Sequence, residues 1–309
     1  MKNLLKHTLL LLTALLLSAS PALAQKKLNV VTTLPDLQSI TDRVGGDRVS
    51  TFAIATGYQN PHFVDPKPSY ILKLSRADLF ITVGLDLETG WAPALLTSAR
   101  NSKIQSGAPG YVDASTNMPL LQIPSSVSRE QGDIHVYGNP HYWLDPARGK
   151  VIAQNIYDGL VRLQPESQAY FAGNLQRFNQ QLDEKTAAWK AQMAPYAGTK
   201  IIAYHNEWPY FETAFGLEII DFLEPKPGIP PTPSQLAKII GLMQQQHIRI
   251  IINSPYFKAD AAELVARKVD GQVVTLASSV GAFDGIDTYF DLFDYNINQL
   301  VQALKVTTP

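Results

Sequence analysis

Between Ser167 and Met193 the chain contains no proline and a single glycine, Gly173. Nothing in that stretch stops a helix, and at 1.5 Å per residue it would reach on the order of 40 Å, longer than a small domain is wide. It lacks the sustained heptads of a coiled-coil arm. A helix of this length without a coiled-coil seam is expected to run along two lobes. The stretch before it, from Ala147, is helical as well and is interrupted at Pro165.

Both flanks of this helix alternate between two periodicities. On the N-terminal side, short β-branched runs at 28–33, 49–55 and 79–83 read as buried strands. Helical patterns lie between and after them at 36–44, 69–75 and 88–100. On the C-terminal side, strands are expected at 200–204, 217–222, 248–252 and 273–276. The helices there are expected at 208–215, 234–246, 259–268 and 288–304. Strands alternating with helices imply a parallel sheet covered on both faces. The expected fold is α/β: two lobes, each a mainly parallel sheet flanked by helices, joined by one long rigid helix. The expected division is a signal peptide at 1–24, an N-terminal lobe at 25–164, the linking helix at 165–195 and a C-terminal lobe at 196–309.

The first 24 residues read as a cleaved export signal. Lys2 and Lys6 give a basic start, residues 9–17 are apolar apart from Thr13, and Ala22-Leu23-Ala24 is a small-x-small cleavage site. The apolar run is too short to span a bilayer comfortably, which argues against the competing reading of a membrane anchor. The chain has no cysteine, so no disulfide, thiolate ligand or lipid-bearing cysteine is available. A soluble periplasmic protein is therefore expected. Without Lys2 and Lys6 the 26 basic residues become 24 against 27 acidic ones, a charge of −3. With no dense basic cluster, nucleic acid is not expected as a partner.

Two segments carry the chemistry. Asn60-Pro61-His62 is followed by Asp65-Pro66, and Asn139-Pro140-His141 by Asp145-Pro146. Each proline keeps the preceding asparagine extended, so each histidine is presented from a stiff, non-helical backbone. His205 directly follows the strand at 200–204, and ligands of open α/β sheets bind beyond the carboxyl ends of strands. Neutral imidazoles suit a borderline metal such as Zn²⁺, with a carboxylate completing a tetrahedral set. Residue chemistry alone leaves that carboxylate open among Asp284, Asp287, Asp291, Asp294 and Glu207. Asp287 also reads as the N-cap of the closing helix. Of the other histidines, His7 lies in the signal, His247 fits a helix C-terminus, and His135 in the loop 125–138 is ambiguous.

GYQNPHFVDPKPS (57–69), ADLFITVGLDLETGW (77–91), NPHYWLDPARGK (139–150), YHNEWPYFETAFGL (204–217) and DTYFDLFDYN (287–296) run across essentially the whole chain after the signal. In these segments the chain resembles the metal-binding solute-binding proteins of bacterial ABC transporters, the zinc/manganese (cluster A-I) family. The resemblance implies one ion in a cleft between two lobes, with His62 and His141 from the first lobe and His205 and Asp287 from the second. Manganese-type relatives tend to carry Glu at the third position, so His205 points to zinc. Zinc-type relatives often have a His-rich loop between the first two ligands, and here 114–138 holds only His135.

The expected role is capture and delivery, not catalysis: a monomeric periplasmic protein that binds Zn²⁺ and hands it to an inner-membrane ABC permease. The same role for Mn²⁺ or iron is the nearest alternative. A zinc hydrolase with Glu207 as general base is a further one. Four protein ligands would close the site to the water that a catalytic zinc needs.

Overall fold

The β-branched runs pair in parallel, and the two halves of the chain repeat one topology. The computed structural model describes residues 26–126 and 135–307; the expected signal segment lies outside them. Strands β1 (Leu28–Thr32), β2 (Val49–Ala53), β3 (Leu79–Thr82) and β4 (Tyr111–Asp113) form a sheet of order β2-β1-β3-β4. Strands β5 (Lys200–Ala203), β6 (Glu218–Phe222), β7 (Ile250–Asn253) and β8 (Gln272–Thr275) form a second sheet of order β6-β5-β7-β8. All the pairings within both sheets are parallel. The inner strands β3 and β7 are buried along their whole length, as a parallel sheet covered on both faces requires.

Helices α1 (Pro35–Gly45), α2 (Pro68–Ser75) and α3 (Ala92–Ala99) flank the first sheet. Then come α4 (Pro146–Leu163) and α5 (Gln168–Met193). The second half carries α6 (Pro209–Phe215), α7 (Pro233–Gln246), α8 (Asp260–Lys268) and α9 (Tyr289–Thr307). The long helix α5 has 26 residues, about 39 Å at the standard rise. It packs against α1, α4 and α9, so it touches elements of both halves. Pro165 separates it from α4 through one short 3₁₀ turn.

Three local expectations shift. Strand β4 is not legible as a β-branched run: it has three residues and pairs only with β3 at the sheet edge. The helix expected from Glu88 starts at Ala92. The buried Glu88 carboxylate instead turns back to accept the N–H groups of Val83 (2.7 Å) and Gly84 (3.1 Å) and the Thr33 hydroxyl (2.6 Å). The closing helix starts at Tyr289, and its cap is Thr288, not Asp287. The Thr288 hydroxyl accepts the Asp291 N–H (3.3 Å), and the Asp291 carboxylate accepts the Thr288 N–H (2.8 Å), a reciprocal capping pair.

One apolar cluster runs through both sheets. It includes Val30 and Phe80 of the first, Ile201 and Ile252 of the second, and Trp143, Phe178, Trp189 and Phe293 between them. Alternate strand residues face the other way: Ile202 and Ile251 join Met243 and Val265 in a second cluster on the far side of the second sheet. Polar bridges reinforce the junction. Asp36 on α1 accepts the Ser279 hydroxyl and the Val280 N–H (3.2 Å). Burial pushes the Asp36 carboxyl up to about 7 against those stabilising bonds. Ser39 accepts the Tyr289 N–H at 2.9 Å.

Candidate metal centre

His62 and His141 lie on loops of the first half and His205 on the loop after β5, as the parallel topology places them. The structure brings all three together: each offers a ring nitrogen, and these atoms lie within 4.8 Å of one another. Ring centroids of His62 and His141 are 5.3 Å apart, and each is within 5.8 Å of the His205 centroid.

The three rings have their outward nitrogen occupied. Asn60 Oδ1 accepts both the His62 backbone N–H (3.0 Å) and the His62 ring at Nδ1 (2.8 Å). Asn139 Oδ1 does the same for His141, at 3.0 and 2.9 Å. An amide oxygen only accepts, so Nδ1 carries the proton in both rings and Nε2 keeps the lone pair. The Asn-Pro-His sequence is thus a local device: the proline sets the turn, and the asparagine fixes the tautomer of the histidine two residues later. His205 is held by a carboxylate, with Nδ1 2.6 Å from Glu224 Oε2. Metal-ligating histidines usually donate their second nitrogen to such partners, which orients the ring and raises its basicity.

His141 is buried, and its Nε2 has no hydrogen-bond partner among the described residues. A buried polar atom left bare is uncommon, and one facing two other imidazoles is suited to a metal ion. Burial, and then the neighbouring His62, His205 and His135 rings, hold the His141 pKa well below the ordinary histidine value. Burial, then His205 and His135, do the same for His62. Both rings are therefore neutral at neutral pH, the form that coordinates.

A cleft of 220 Å³ opens beside the cluster, lined by His62, Phe63, His205, Glu224 and Phe257 among others. The loop carrying His62 passes close to the second half. A Cβ at Gly57 would lie 2.1 Å from the Val280 carbonyl oxygen, so only glycine fits that approach.

Asp287 is not in the group of mutually close donors. It is exposed, two residues before α9, while the next residue but one, Tyr289, is buried and donates from its hydroxyl to the Trp143 carbonyl (2.6 Å). Glu207 is buried and engaged: its carboxylate accepts the hydroxyls of Ser254 and of Tyr256 (2.7 Å). His247 caps the C-terminus of α7 in a left-handed conformation, as expected, and is not in the group of close donors. His135 is at the cluster, its Nε2 3.0 Å from His62 Nε2. Sequence reasoning missed Asn60, Asn139 and Glu224. The asparagines were visible in the repeated Asn-Pro-His; Glu224 lies 19 residues from His205 and meets it only through the pairing of β5 with β6.

The family model described as "Zinc-uptake complex component A periplasmic" (ZnuA) matches residues 30–303. Among curated proteins, a manganese ABC transporter substrate-binding lipoprotein (PsaA) of Streptococcus anginosus is 24% identical over 293 residues, covering 92% of this chain and 91% of that protein. A crystal structure of ZnuA superposes with a TM-score of 0.77 at 21% identity, covering 90% of this chain and 99% of the other. The Mn-bound periplasmic metal binding protein from Candidatus Liberibacter asiaticus gives 0.74 at 19% identity, covering 90% and 100%. With the family model spanning both sheets and the three-histidine loops, the chain belongs to the ZnuA family, the metal-binding solute-binding components of ABC transporters.

Proposed function

We propose that this chain captures a divalent cation, zinc in preference to manganese, and delivers it to an ABC permease. The observation that carries the reading is the convergence of His62, His141 and His205, each with its second nitrogen held by Asn60, Asn139 or Glu224. Three neutral imidazoles favour a borderline ion over Mn²⁺, which prefers oxygen donors. The manganese names among the relatives support the opposite preference. The donor set of this chain outweighs those names, because sequence identity of 24% leaves ligand identity free to differ.

The family is the binding component of an uptake system, so the chain is not an enzyme. Its buried Glu207, already bonded to two hydroxyls, is also poorly disposed to act as a base on water. Asp287, the carboxylate that the family resemblance implies as the fourth ligand, is exposed and outside the group of close donors, so this proposal rests on the three histidines alone.

The test is metal content by mass spectrometry after chelation and reloading with equimolar Zn²⁺ and Mn²⁺, on the wild type and on His205→Ala. Stoichiometric zinc that is lost or weakened in the variant is the expected result. Preferential manganese, or zinc indifferent to the loss of His205, would overturn the reading.

A further inference from the structure

The cluster has a histidine beyond those the motifs supply. We propose that His135 provides the fourth donor, making an all-imidazole site; this rests on the metal-capture reading above. His135 Nε2 lies 3.0 Å from His62 Nε2, and its ring centroid is 5.1 Å from His62 and 6.2 Å from His141. For Zn–N bonds of 2.0–2.1 Å, two nitrogens on one tetrahedral zinc are separated by about 3.3–3.4 Å. The observed nitrogen pair is already close to that edge.

The turn that carries His135 leads straight into the second ligand loop. The His135 carbonyl accepts the Gly138 N–H at 3.3 Å, and the following Asn139 N–H is pinned to the Leu121 carbonyl at 2.9 Å. A ligand on this turn is therefore tethered six residues before His141, on a backbone that the Asn139 anchor positions. Asn60 holds the proton of His62 on Nδ1, so the contact between the two Nε2 atoms uses the Nε2–H tautomer of His135. Zinc takes the place of that shared hydrogen, and His135 carries its proton on Nδ1 instead. No net proton is released by that exchange.

Neither His135 nor Asp287 belongs to the group whose donor atoms all lie within 4.8 Å of one another, but His135 already touches the His62 ring whereas Asp287 is exposed. A fourth nitrogen in place of an oxygen also sharpens the discrimination against Mn²⁺.

The experiment compares zinc-loaded wild type, His135→Ala and Asp287→Asn by X-ray absorption, with affinities from chelator competition and a Zn²⁺/Mn²⁺ competition. His135 is only half-buried, so its removal leaves the fold intact. The expected result is four imidazoles in the wild type and three plus an oxygen in His135→Ala. Zinc affinity falls by about tenfold or more, the low end of what even an outer partner of a metal site costs. The zinc preference narrows in the same variant, and Asp287→Asn matches the wild type. An unchanged imidazole count and affinity in His135→Ala overturns the proposal, and a loss confined to Asp287→Asn does so in favour of the carboxylate. Absence of zinc from the wild type would instead remove the capture reading itself, which the His205→Ala experiment detects separately.

Discussion

The two Asn-Pro-His loops make the same local bonds and sit in different surroundings. In both, one asparagine oxygen takes the backbone N–H and the ring N–H of the histidine. Asn139 goes further. Its amide nitrogen donates to Gln122 (3.1 Å) and to the Asn206 carbonyl (2.9 Å), next to His205 in the other half of the molecule. Its own carbonyl accepts the Tyr210 hydroxyl (2.7 Å) on α6. Asn60 and His62 are only partly buried, beside the cleft and next to Phe63, which is 65% exposed. The second loop thus ties its histidine to both lobes, whereas the first presents its histidine at the cleft mouth. Equal motifs have been given unequal stiffness. The His62 side is the one suited to move when cargo enters or leaves.

The sharpest way to break that contrast is to delete each asparagine. Asn139→Ala should weaken zinc binding toward the upper end of the roughly 10–100-fold range for outer partners, and Asn60→Ala toward the lower end. Asn139→Ala should also cost about 1–3 kcal/mol of stability in the metal-free chain, because it strands buried groups that Asn139 now satisfies. Asn60→Ala should cost clearly less. Isothermal titration and urea unfolding measure both quantities, and equal losses in the two variants would erase the distinction.

A smaller effect comes from pH. Burial lowers the pKa of both His62 and His141 in the folded chain, so below about 6.5 the unfolded state binds more protons than the folded one. Their contribution is fully present above that pH and is lost as pH falls toward the folded values. Asp36 runs the other way. With its pKa raised from 3.8 to about 7, it favours the folded state increasingly as pH drops through that interval. The histidine part is therefore read as a difference: metal-free wild type should lose more stability than His141→Ala between about pH 7.5 and 5.5. Parallel profiles for the two proteins would show that His141 is not held neutral.

The smallest expected change lies outside both loops. Thr288→Ala removes the cap of α9 and should cost about 1 kcal/mol in thermal unfolding. Zinc affinity should be unaffected, since neither Thr288 nor Asp291 belongs to the histidine cluster. A marked loss of affinity in this variant would tie the start of α9, with Asp287 beside it, to the metal.

Much of this arrangement was legible before the structure. Short β-branched runs located seven of the eight strands, and the missing one, β4, has only three residues and so no run to see. The proline-flanked histidines announced themselves by repetition, and their meeting point followed from the rule for carboxyl ends of parallel strands. What stayed hidden depends on contacts between distant residues. Glu224 reaches His205 only because β6 pairs with β5. The Asp at 287 looked like a cap because capping statistics see only the sequence, whereas Tyr289 is drawn under the Trp143 and Asp145 carbonyls and starts the helix one residue later. His135, in a turn without periodicity, had no signal except being a histidine.

The apolar cluster that passes through both sheets has a consequence for how the molecule comes apart. Trp143 of the first half, Phe178 and Trp189 of the long helix and Phe293 of the second half belong to one cluster, so removing either half would leave its partner with a large bare surface. Two halves that share a core in this way lose their separate melting points. The chain should unfold as a single cooperative unit, and destabilising damage in one sheet will be felt by the histidines anchored to the other.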